Sequence, residues 1–399
     1  MTMGNGRVGG GVAWCAAIAA AVLLSGCGSS SGSSGATSSK VVIGMAIGET
    51  GPLVTYDTAA KDGAELAVAD INAHGGLLGH PVELITADTH SEINQGSQAG
   101  LALKSKGANV ILTSPDYNYG GGAARVAEQS NMVVFSAAGS SKFGPSGIGP
   151  LAYTTNYSVT SEGYVDAEWA YTTQHFDKAY VLEDTTTDAG LQQCDGFRSH
   201  FKELGGTIVG SDTFKNSDAS IATQLTKLKA ADKPDVILLC SYPPGGATAV
   251  QQLRAAGIDQ PIIGEMAFDG TYWFKKTMRN LSNFYYVTPT STYGDDPDPA
   301  VNAFWKSYKA KYGTPAVSFG VNYYAAVEAI AEAIKKAGTV SGSAVAKELD
   351  QATGSGLLNI SYTPTTHILV NIPMRMMQVQ NGKPSYLATV KLASVPPQS

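Results

Sequence analysis

The sequence predicts an α/β protein built from two doubly wound halves. Three observations predict this class: apolar, β-branched runs that end in turn residues, amphipathic runs that follow them, and a second start of the same alternation after about residue 157. Strands that alternate regularly with helices indicate parallel sheets covered by helices on both faces. The body from about Lys40 onward is long enough for two domains.

The first half alternates strand and helix from Lys40 to about residue 140. KVVIGMAIGETGP predicts a buried strand that stops at Gly48, Gly51 and Pro52. AAKDGAELAVADINAHGG then carries apolar residues near helical spacing and ends at Gly75-Gly76. Further strands are predicted in PVELITAD, ANVILTS and MVVFSAAGSS, and further helices in NQGSQAGLALKSKG and GGAARVAEQSN.

The second half repeats the pattern and ends differently. Strands are predicted in KAYVLED, TIVGSDTF, PDVILLCSY and QPIIGEMAF, and helices in GLQQCDGFRSHFKELGG, SIATQLTKLKAA and GATAVQQLRAAG. A break rich in Pro and Asp, VTPTSTYGDDPDPAV, precedes the long helix VNAFWKSYKAKYG. HILVNIPMRMMQVQNGKPSYLATV predicts two strands joined by a hairpin at Asn381-Gly382. A βα chain that ends in a hairpin suggests that the chain crosses between the halves.

The N-terminus has the pattern of an export signal. Arg7 precedes an apolar stretch at 8–24 that is too short and too poorly flanked for a permanent membrane span. It ends in Leu-Ser-Gly-Cys27, which resembles the bacterial lipobox, and a Ser/Gly-rich tether follows. The resemblance implies a signal peptide at 1–26, a lipid on Cys27, a tether at 27–40 and a location on the extracytoplasmic face of the cell membrane.

Charge and motif content exclude several classes of function. The net charge is −6, with 33 acidic and 27 basic residues, and no basic patch predicts nucleic-acid binding. No nucleophile elbow, zinc motif, phosphate loop or Cys-x-x-Cys pair is present, so we expect no enzyme, no cofactor and no metal.

Beyond the cysteines of the signal and the anchor, only Cys194 and Cys240 remain in the chain. A disulfide and two separate buried thiols are both compatible with the sequence.

Aromatic and acidic residues recur in the loops that follow the predicted strands. In open α/β sheets, ligands bind beyond the carboxyl ends of the strands. Aromatic walls with a few placed polar groups are typical of a pocket for a small molecule. These loops supply the candidate ligand-binding residues Tyr56, Asp116, Tyr117, Asp188, Tyr242 and Asp269.

One family accounts for the order of these motifs. The segment GETGPLVTYDTAAKDGAELAVADINAHGGLLGHPVELITAD resembles the start of the leucine/isoleucine/valine-binding proteins, the type I periplasmic binding proteins of bacterial ABC importers. SAAGSS, LRAAG, VNYYAAVEAI and HILVNIPMRMMQVQNGK resemble later segments of that family, in the same order. The resemblance implies two Rossmann-like lobes joined by a three-stranded hinge. We expect the N-terminal lobe at 41–156 plus about 288–365, and the C-terminal lobe at 157–287 plus about 366–399.

The resemblance also implies ligand contacts. By position it carries over Tyr56, Ala138 and Ser140 from the first lobe, Tyr242 from the second and Tyr324 from the return helix. Departures from the family pattern accompany these matches. Asp116-Tyr117-Asn118 stands where the amino-acid binders place a serine for the ligand carboxylate, Asp188 falls near a family tyrosine, and Glu265, Met266 and Asp269 fall near the ammonium-binding glutamate.

The expected function is capture of a small polar ligand and its delivery to an ABC permease. The ligand is expected to be an amino acid, an amide or urea-like compound, or an aromatic compound. Acidic loop residues with Lys142 as their only basic neighbour favour a neutral or cationic ligand rich in N–H donors over a simple carboxylate. A sensory module for a signalling partner and a secreted α/β enzyme are the alternatives.

Overall fold

The computed structural model describes residues 40–315, 317–354, 356–369, 372–392 and 396. The predicted signal peptide, the lipidated Cys27 and the tether up to residue 39 lie outside these residues. In the part of the chain that is described, no helix combines the length and apolarity needed to cross a bilayer.

A five-stranded parallel sheet is built from the first half of the chain. Its strands are β1 (Val41–Ile47), β2 (Val82–Asp88), β3 (Val110–Thr113), β4 (Val134–Ser136) and β5 (Ala152–Thr154), in the order β2-β1-β3-β4-β5. The helices between them are α1 (Val54–Ala73), α2 (Gly96–Ser105) and α3 (Tyr117–Gln129). The predicted alternation of this half is confirmed. We call the part built on this sheet the first lobe.

A seven-stranded sheet forms what we call the second lobe. Its strands are β6 (Lys178–Asp184), β7 (Thr207–Phe214), β8 (Val236–Cys240), β9 (Ile262–Gly264), β10 (Phe284–Thr288), β11 (Met374–Gln380) and β12 (Lys383–Val390), in the order β12-β11-β10-β9-β8-β6-β7. Strands β6 to β10 are parallel, whereas β11 and β12 are antiparallel. Its helices are α4 (Val159–Glu168), α5 (Asp188–Glu203), α6 (Ala222–Ala230) and α7 (Gly245–Ala255).

The terminal hairpin is confirmed at the predicted turn. Asn381 and Gly382, with φ values of 51° and 70°, connect β11 to β12. This left-handed conformation is the one that a two-residue hairpin turn requires, and Asn and Gly adopt it at low cost. Because β11 pairs with β10, the C-terminal segment completes the second sheet.

Between β10 and β11, the described residues form three helices that return the chain to the first lobe. They are α8 (Pro299–Tyr312), α9 (Phe319–Ala337) and α10 (Gly342–Leu349), and α9 packs along α1. The two helices approach closely at Gly63, where an added Cβ would lie 1.9 Å from the carbonyl oxygen of Gly320. A residue without a side chain is therefore required at this crossing.

Three chain segments pass side by side between the lobes. The amide of Thr154 donates to His367 O at 2.8 Å, and the amide of Leu369 donates to Asn156 O at 3.0 Å. The Tyr157 hydroxyl donates to Val287 O, at the end of β10, at 3.1 Å. These contacts form the hinge region.

A disulfide joins Cys194 on α5 to Cys240 at the end of β8, with their Cα atoms 5.8 Å apart. This resolves the alternative that the sequence left open in favour of the bridge. Both cysteines are fully buried, and their elements carry loops that border the site described below.

Candidate functional site: a cavity between two strand edges

One cavity lies where the carboxyl ends of the parallel strands of the two sheets face each other. Its volume open to water-sized molecules is about 60 Å³, so the cleft is narrow in this conformation. The first lobe contributes Leu53, Tyr56, Pro115, Asp116, Tyr117, Tyr119, Ala137, Gly139, Ser140, Asn156 and Phe319; the second contributes Val159, Glu162, Thr187, Ala189, Tyr242, Glu265, Met266 and Ala267.

Tyr56 lies in the first turn of α1, directly after the loop that follows β1. Asp57 stabilises that loop, because its carboxylate accepts hydrogen bonds from the Gly48 amide at 2.8 Å and from the Ser114 hydroxyl at 2.9 Å. Burial raises the pKa of Asp57 to about 7 against the effect of these two donors. The residue Tyr56 is 4% exposed.

Asp116 has a structural role in addition to its place in the lining. It is the N-cap of α3, and its side chain accepts from the amides of Asn118 at 2.7 Å and Tyr119 at 3.1 Å. A carboxylate at this position accepts hydrogen bonds from the free amides of the first helical turn. Its negative charge also interacts favourably with the positive end of the helix dipole. Burial nevertheless raises the pKa of Asp116 to about 6.

Tyr242 forms part of the second-lobe wall on the loop after β8. Asn216 holds this loop by donating to Tyr242 O at 2.7 Å and to Asp184 at 2.9 Å. Asp184 also accepts from the Ser241 hydroxyl at 2.7 Å. Burial and the adjacent Tyr119 hydroxyl raise the pKa of Tyr242, so its phenol stays neutral and can donate.

Two buried carboxyl groups face the cavity from the second lobe. Glu162 on α4 accepts from the amide of Met266 at 2.7 Å, and Glu265 follows β9. Behind Glu162, Gln193 donates to Asp166 at 3.0 Å. Within the described residues, no lysine, arginine or histidine lines the cavity. The site is therefore acidic and rich in aromatic side chains.

The two lobes touch across the cavity, so this is a closed conformation. The Tyr56 hydroxyl donates to Ala267 O at 3.2 Å and accepts from the Tyr272 hydroxyl at 2.7 Å. The two tyrosine rings meet edge to face, with centroids 6.1 Å apart. Asn156 of the first lobe donates to the Met266 sulfur at 3.3 Å.

A second set of contacts, which we call the latch, joins Ser140 and Lys142 of the first lobe to Asp188 of the second. The Asp188 carboxylate accepts from the Ser140 hydroxyl at 2.5 Å and forms an ion pair with Lys142. The amide of Asp188 donates to the Asn118 side chain at 3.0 Å. The carboxylate of Asp188 is thus bound by protein groups in the closed state.

The structure brings together some of the residues predicted as ligand contacts. Tyr56, Asp116, Tyr117, Ser140 and Tyr242 line the cavity. The hydroxyl of Tyr117 also accepts from Arg125, at 2.8 Å.

Four predicted contacts are placed differently. Ala138 is buried between lining residues, and its amide and carbonyl bond to Ser136 and Thr154. Asp188 belongs to the latch.

Asp269 and Tyr324 lie outside the lining. Asp269 is buried and accepts from the Tyr286 hydroxyl at 2.9 Å. Tyr324 donates to Asp70 at 3.0 Å, on the side of α9 that packs near α1. Phe319, at the start of α9, occupies the place at the cavity that the resemblance suggested for Tyr324.

Glu162 is the main lining residue that the sequence analysis missed. It lies on α4, directly after the first crossing between the lobes, where TSEGYVDAEW mixes polar and apolar residues. The available signal was a pair of acids at helical spacing, Glu162 and Asp166, in a segment that is otherwise fit for burial.

Fold and cavity together define a class. Two doubly wound lobes, three crossing segments and a closed cleft lined from both sides are the architecture of a two-lobed protein that binds small molecules by hinge closure.

The comparisons with known proteins identify the family. The model of the periplasmic binding protein family matches residues 40–384, and the chain belongs to this family. Its members bind solutes and are not enzymes. A Leu/Ile/Val-binding protein homologue of Brucella melitensis is 28% identical over 336 residues, covering 81% of this chain and 88% of the relative. A Leu/Ile/Val-binding protein of Rhizobium johnstonii is 26% identical over 302 residues, covering 75% and 80%.

Solved structures share the fold. The branched-chain amino acid binding protein LivJ of Streptococcus pneumoniae, in complex with isoleucine, superposes with a TM-score of 0.78 at 24% identity, covering 88% of this chain and all of that one. A solute-binding protein from R. palustris in complex with benzoate reaches a TM-score of 0.73 at 18% identity, covering 89% and 98%. The predicted fold class and family are confirmed.

Proposed function

We propose that this protein captures a small polar solute between its two lobes and delivers it to the permease of an ABC importer. The observation that supports this most directly is the closed cavity, in which Tyr56 of the first lobe and Tyr242 of the second lie on the same lining. A site assembled from two lobes binds most tightly when they close, so ligand occupancy becomes a change of shape that a permease can recognise.

The lobes exchange segments at the hinge in this proposal. The first lobe comprises residues 41–156 plus about 288–365, and the second comprises 157–287 plus about 366–399. The packing of α9 on α1 and the pairing of β11 with β10 support these boundaries.

The solute we propose is neutral or cationic and rich in N–H donors. The carboxyl groups of Asp116, Glu162 and Glu265 line the cavity without a basic lining partner among the described residues. A desolvated carboxylate requires donors, which the ligand can supply. Amino acids, amides, urea-like compounds and aromatic compounds with such groups remain the candidate classes.

The test of capture is to identify what the protein carries. Native mass spectrometry of gently purified protein should show a bound small molecule, and calorimetry should measure its affinity. Small-angle scattering should show a more compact protein after the ligand is added back to stripped protein. A ligand whose affinity is unchanged by both Tyr56→Ala and Tyr242→Ala would contradict the proposed site.

We further propose a lipid anchor on Cys27. The lipobox-like sequence and the tether support it. In the native host, the parent protein should partition into detergent with a diacylated N-terminal cysteine, whereas Cys27→Ser should remain an unprocessed or soluble precursor. A cleaved, detergent-partitioning mutant would refute the anchor.

A further inference from the structure

Two carboxyl groups on separate elements face the cavity, and one oxygen of each accepts no hydrogen bond from the described residues. Oε2 of Glu162 on α4 and Oε2 of Glu265 after β9 are both buried, and neither has a hydrogen-bond partner among the described residues. Glu162 is fully buried and Glu265 is 8% exposed. Both residues border the cavity, and Glu162 already accepts from the Met266 amide through its other oxygen.

The protein groups around the two carboxyl groups do not stabilise two negative charges at this place. Burial and the nearby acids Asp116, Asp184 and Asp166 raise the pKa of Glu265 to about 8. Burial, Asp166 and Glu265 raise the pKa of Glu162 well above its ordinary range. The titratable groups that face the pair are acids or phenols: Asp116, Asp166, Asp184, Tyr56 and Tyr157. Surrounded by protein groups alone, the pair therefore favours its protonated form near neutral pH.

We propose that the ligand is an organic cation with N–H groups, seated between Glu162 and Glu265, and that its binding releases a proton from this pair. The inference rests on the proposed function and specifies the ligand class. The only covalent bond that breaks is the O–H bond of one carboxylic acid of the pair, and its proton passes to the buffer. The cation takes the place of that proton and donates to the unpartnered oxygens.

Three groups of the first-lobe wall are poor partners for a ligand carboxylate. The Ala138 amide is bonded to Ser136, and the Ser140 hydroxyl donates to Asp188. Asp116, an acid, caps α3 at this wall. A zwitterion would bring its negative end towards the acid Asp116, whereas a simple cation would not.

The test uses probes that differ in charge at nearly constant shape. Benzamidine and phenylguanidine are the cations, benzamide and phenylurea are their neutral counterparts, and benzoate and leucine carry a carboxylate. Calorimetry at pH 8 should show each binding cation at least tenfold tighter than its counterpart. Titrations in phosphate and Tris buffers should differ in apparent enthalpy by the amount expected for release of up to one proton. Affinity for the cation should rise as the pH increases from 6 to 8 and level off above pH 8, the value near which Glu265 loses its proton.

Variants assign the effect to the pair. Glu162→Gln and Glu265→Gln should each weaken cation binding at least tenfold and reduce proton release. Glu203→Gln, which alters an exposed acid at the end of α5, should do neither. Thermal melting of the ligand-free variants checks that each one folds.

The outcomes separate this inference from the proposed function. Tighter binding of benzoate, leucine or a neutral counterpart overturns the cation assignment and leaves solute capture intact. Binding of a cation without proton release, or with parental affinity in both glutamine variants, overturns the role of the pair. Failure of every probe to bind also overturns the assignment, while the molecule identified by native mass spectrometry decides the proposed function separately.

Discussion

Removal of the Asp188 carboxylate should weaken ligand binding although this group is engaged by the protein itself. Asp188→Ala deletes the acceptor for the Ser140 hydroxyl and the partner of Lys142, both on the opposite lobe. Because the latch exists only when the lobes are closed, its loss destabilises the ligand-bound form relative to the open one. Asp188→Ala therefore weakens binding by shifting the equilibrium from the closed form towards the open form.

The magnitude follows from the exposure of the two contacts. The side chain of Asp188 is 12% exposed, and a hydrogen bond to such a charged group contributes about 1.5–3 kcal/mol. The side chain of Lys142 is 53% exposed, so solvent screening reduces the ion pair to about 0.5 kcal/mol. Allowing for water that replaces these contacts in the open form, we expect a net loss of about 2 kcal/mol, or roughly 30-fold in Kd.

The assay is calorimetric titration with the co-purified ligand. Asp195→Ala is the matched control, because Asp195 lies on the same helix, is 79% exposed and pairs with Arg198 on that helix. We expect this control to change Kd less than twofold, and Lys142→Met to weaken binding about two- to threefold. Parental affinity of Asp188→Ala, or an equal loss in Asp195→Ala, would refute the latch.

Three further predictions follow from the site and the core. Tyr56→Ala and Tyr242→Ala should each weaken ligand binding by roughly 1–3 kcal/mol in calorimetry, because each removes a buried aromatic contact; parental affinity in both would contradict the site. Cys194→Ser removes a bridge between residues that are 46 positions apart in the sequence. Because the bridge restricts the unfolded chain, its loss should lower the free energy of unfolding in urea by about 4 kcal/mol. An unchanged urea midpoint would argue against the bridge. Glu265→Gln should raise the melting temperature of the ligand-free protein at pH 9. The pKa of Glu265 is raised to about 8, so folding disfavours its charged form; this cost is absent below the unfolded-state pKa, grows as the pH rises towards 8 and is removed by the amide. Equal melting temperatures of variant and parent at pH 9 would count against this prediction.

Local patterns predicted the fold because they agree with the tertiary structure. The run at β1 is buried along its whole length, and the Asn381-Gly382 turn has the backbone conformation that its residues favour. β5, Ala152–Thr154, was missed because it lacks the β-branched apolar run that marks the equally short strands β4 and β9. α4 was missed because its buried acids resemble a solvated surface until the cavity is known.

The site was only partly predictable, for a physical reason. The loops after the strands placed Tyr56 and Tyr242 correctly at the lining, because strand ends converge in a parallel sheet. The roles of acids depend on partners from distant elements. Asp116 caps its own helix, and Asp188 meets Lys142 across the cleft. Spacing in a single sequence does not encode such encounters.

The disulfide between Cys194 and Cys240 makes the stability of the second lobe depend on the redox conditions around the protein. Thiols stay reduced in the cytoplasm, and the oxidising environment outside it permits the bridge. With the export that the N-terminal pattern implies, the chain lacks, before it leaves the cytoplasm, the stabilisation that closing this 46-residue separation brings, and its reduced second lobe unfolds more readily. Under this proposal, the covalent link between α5 and β8 forms only outside the cytoplasm.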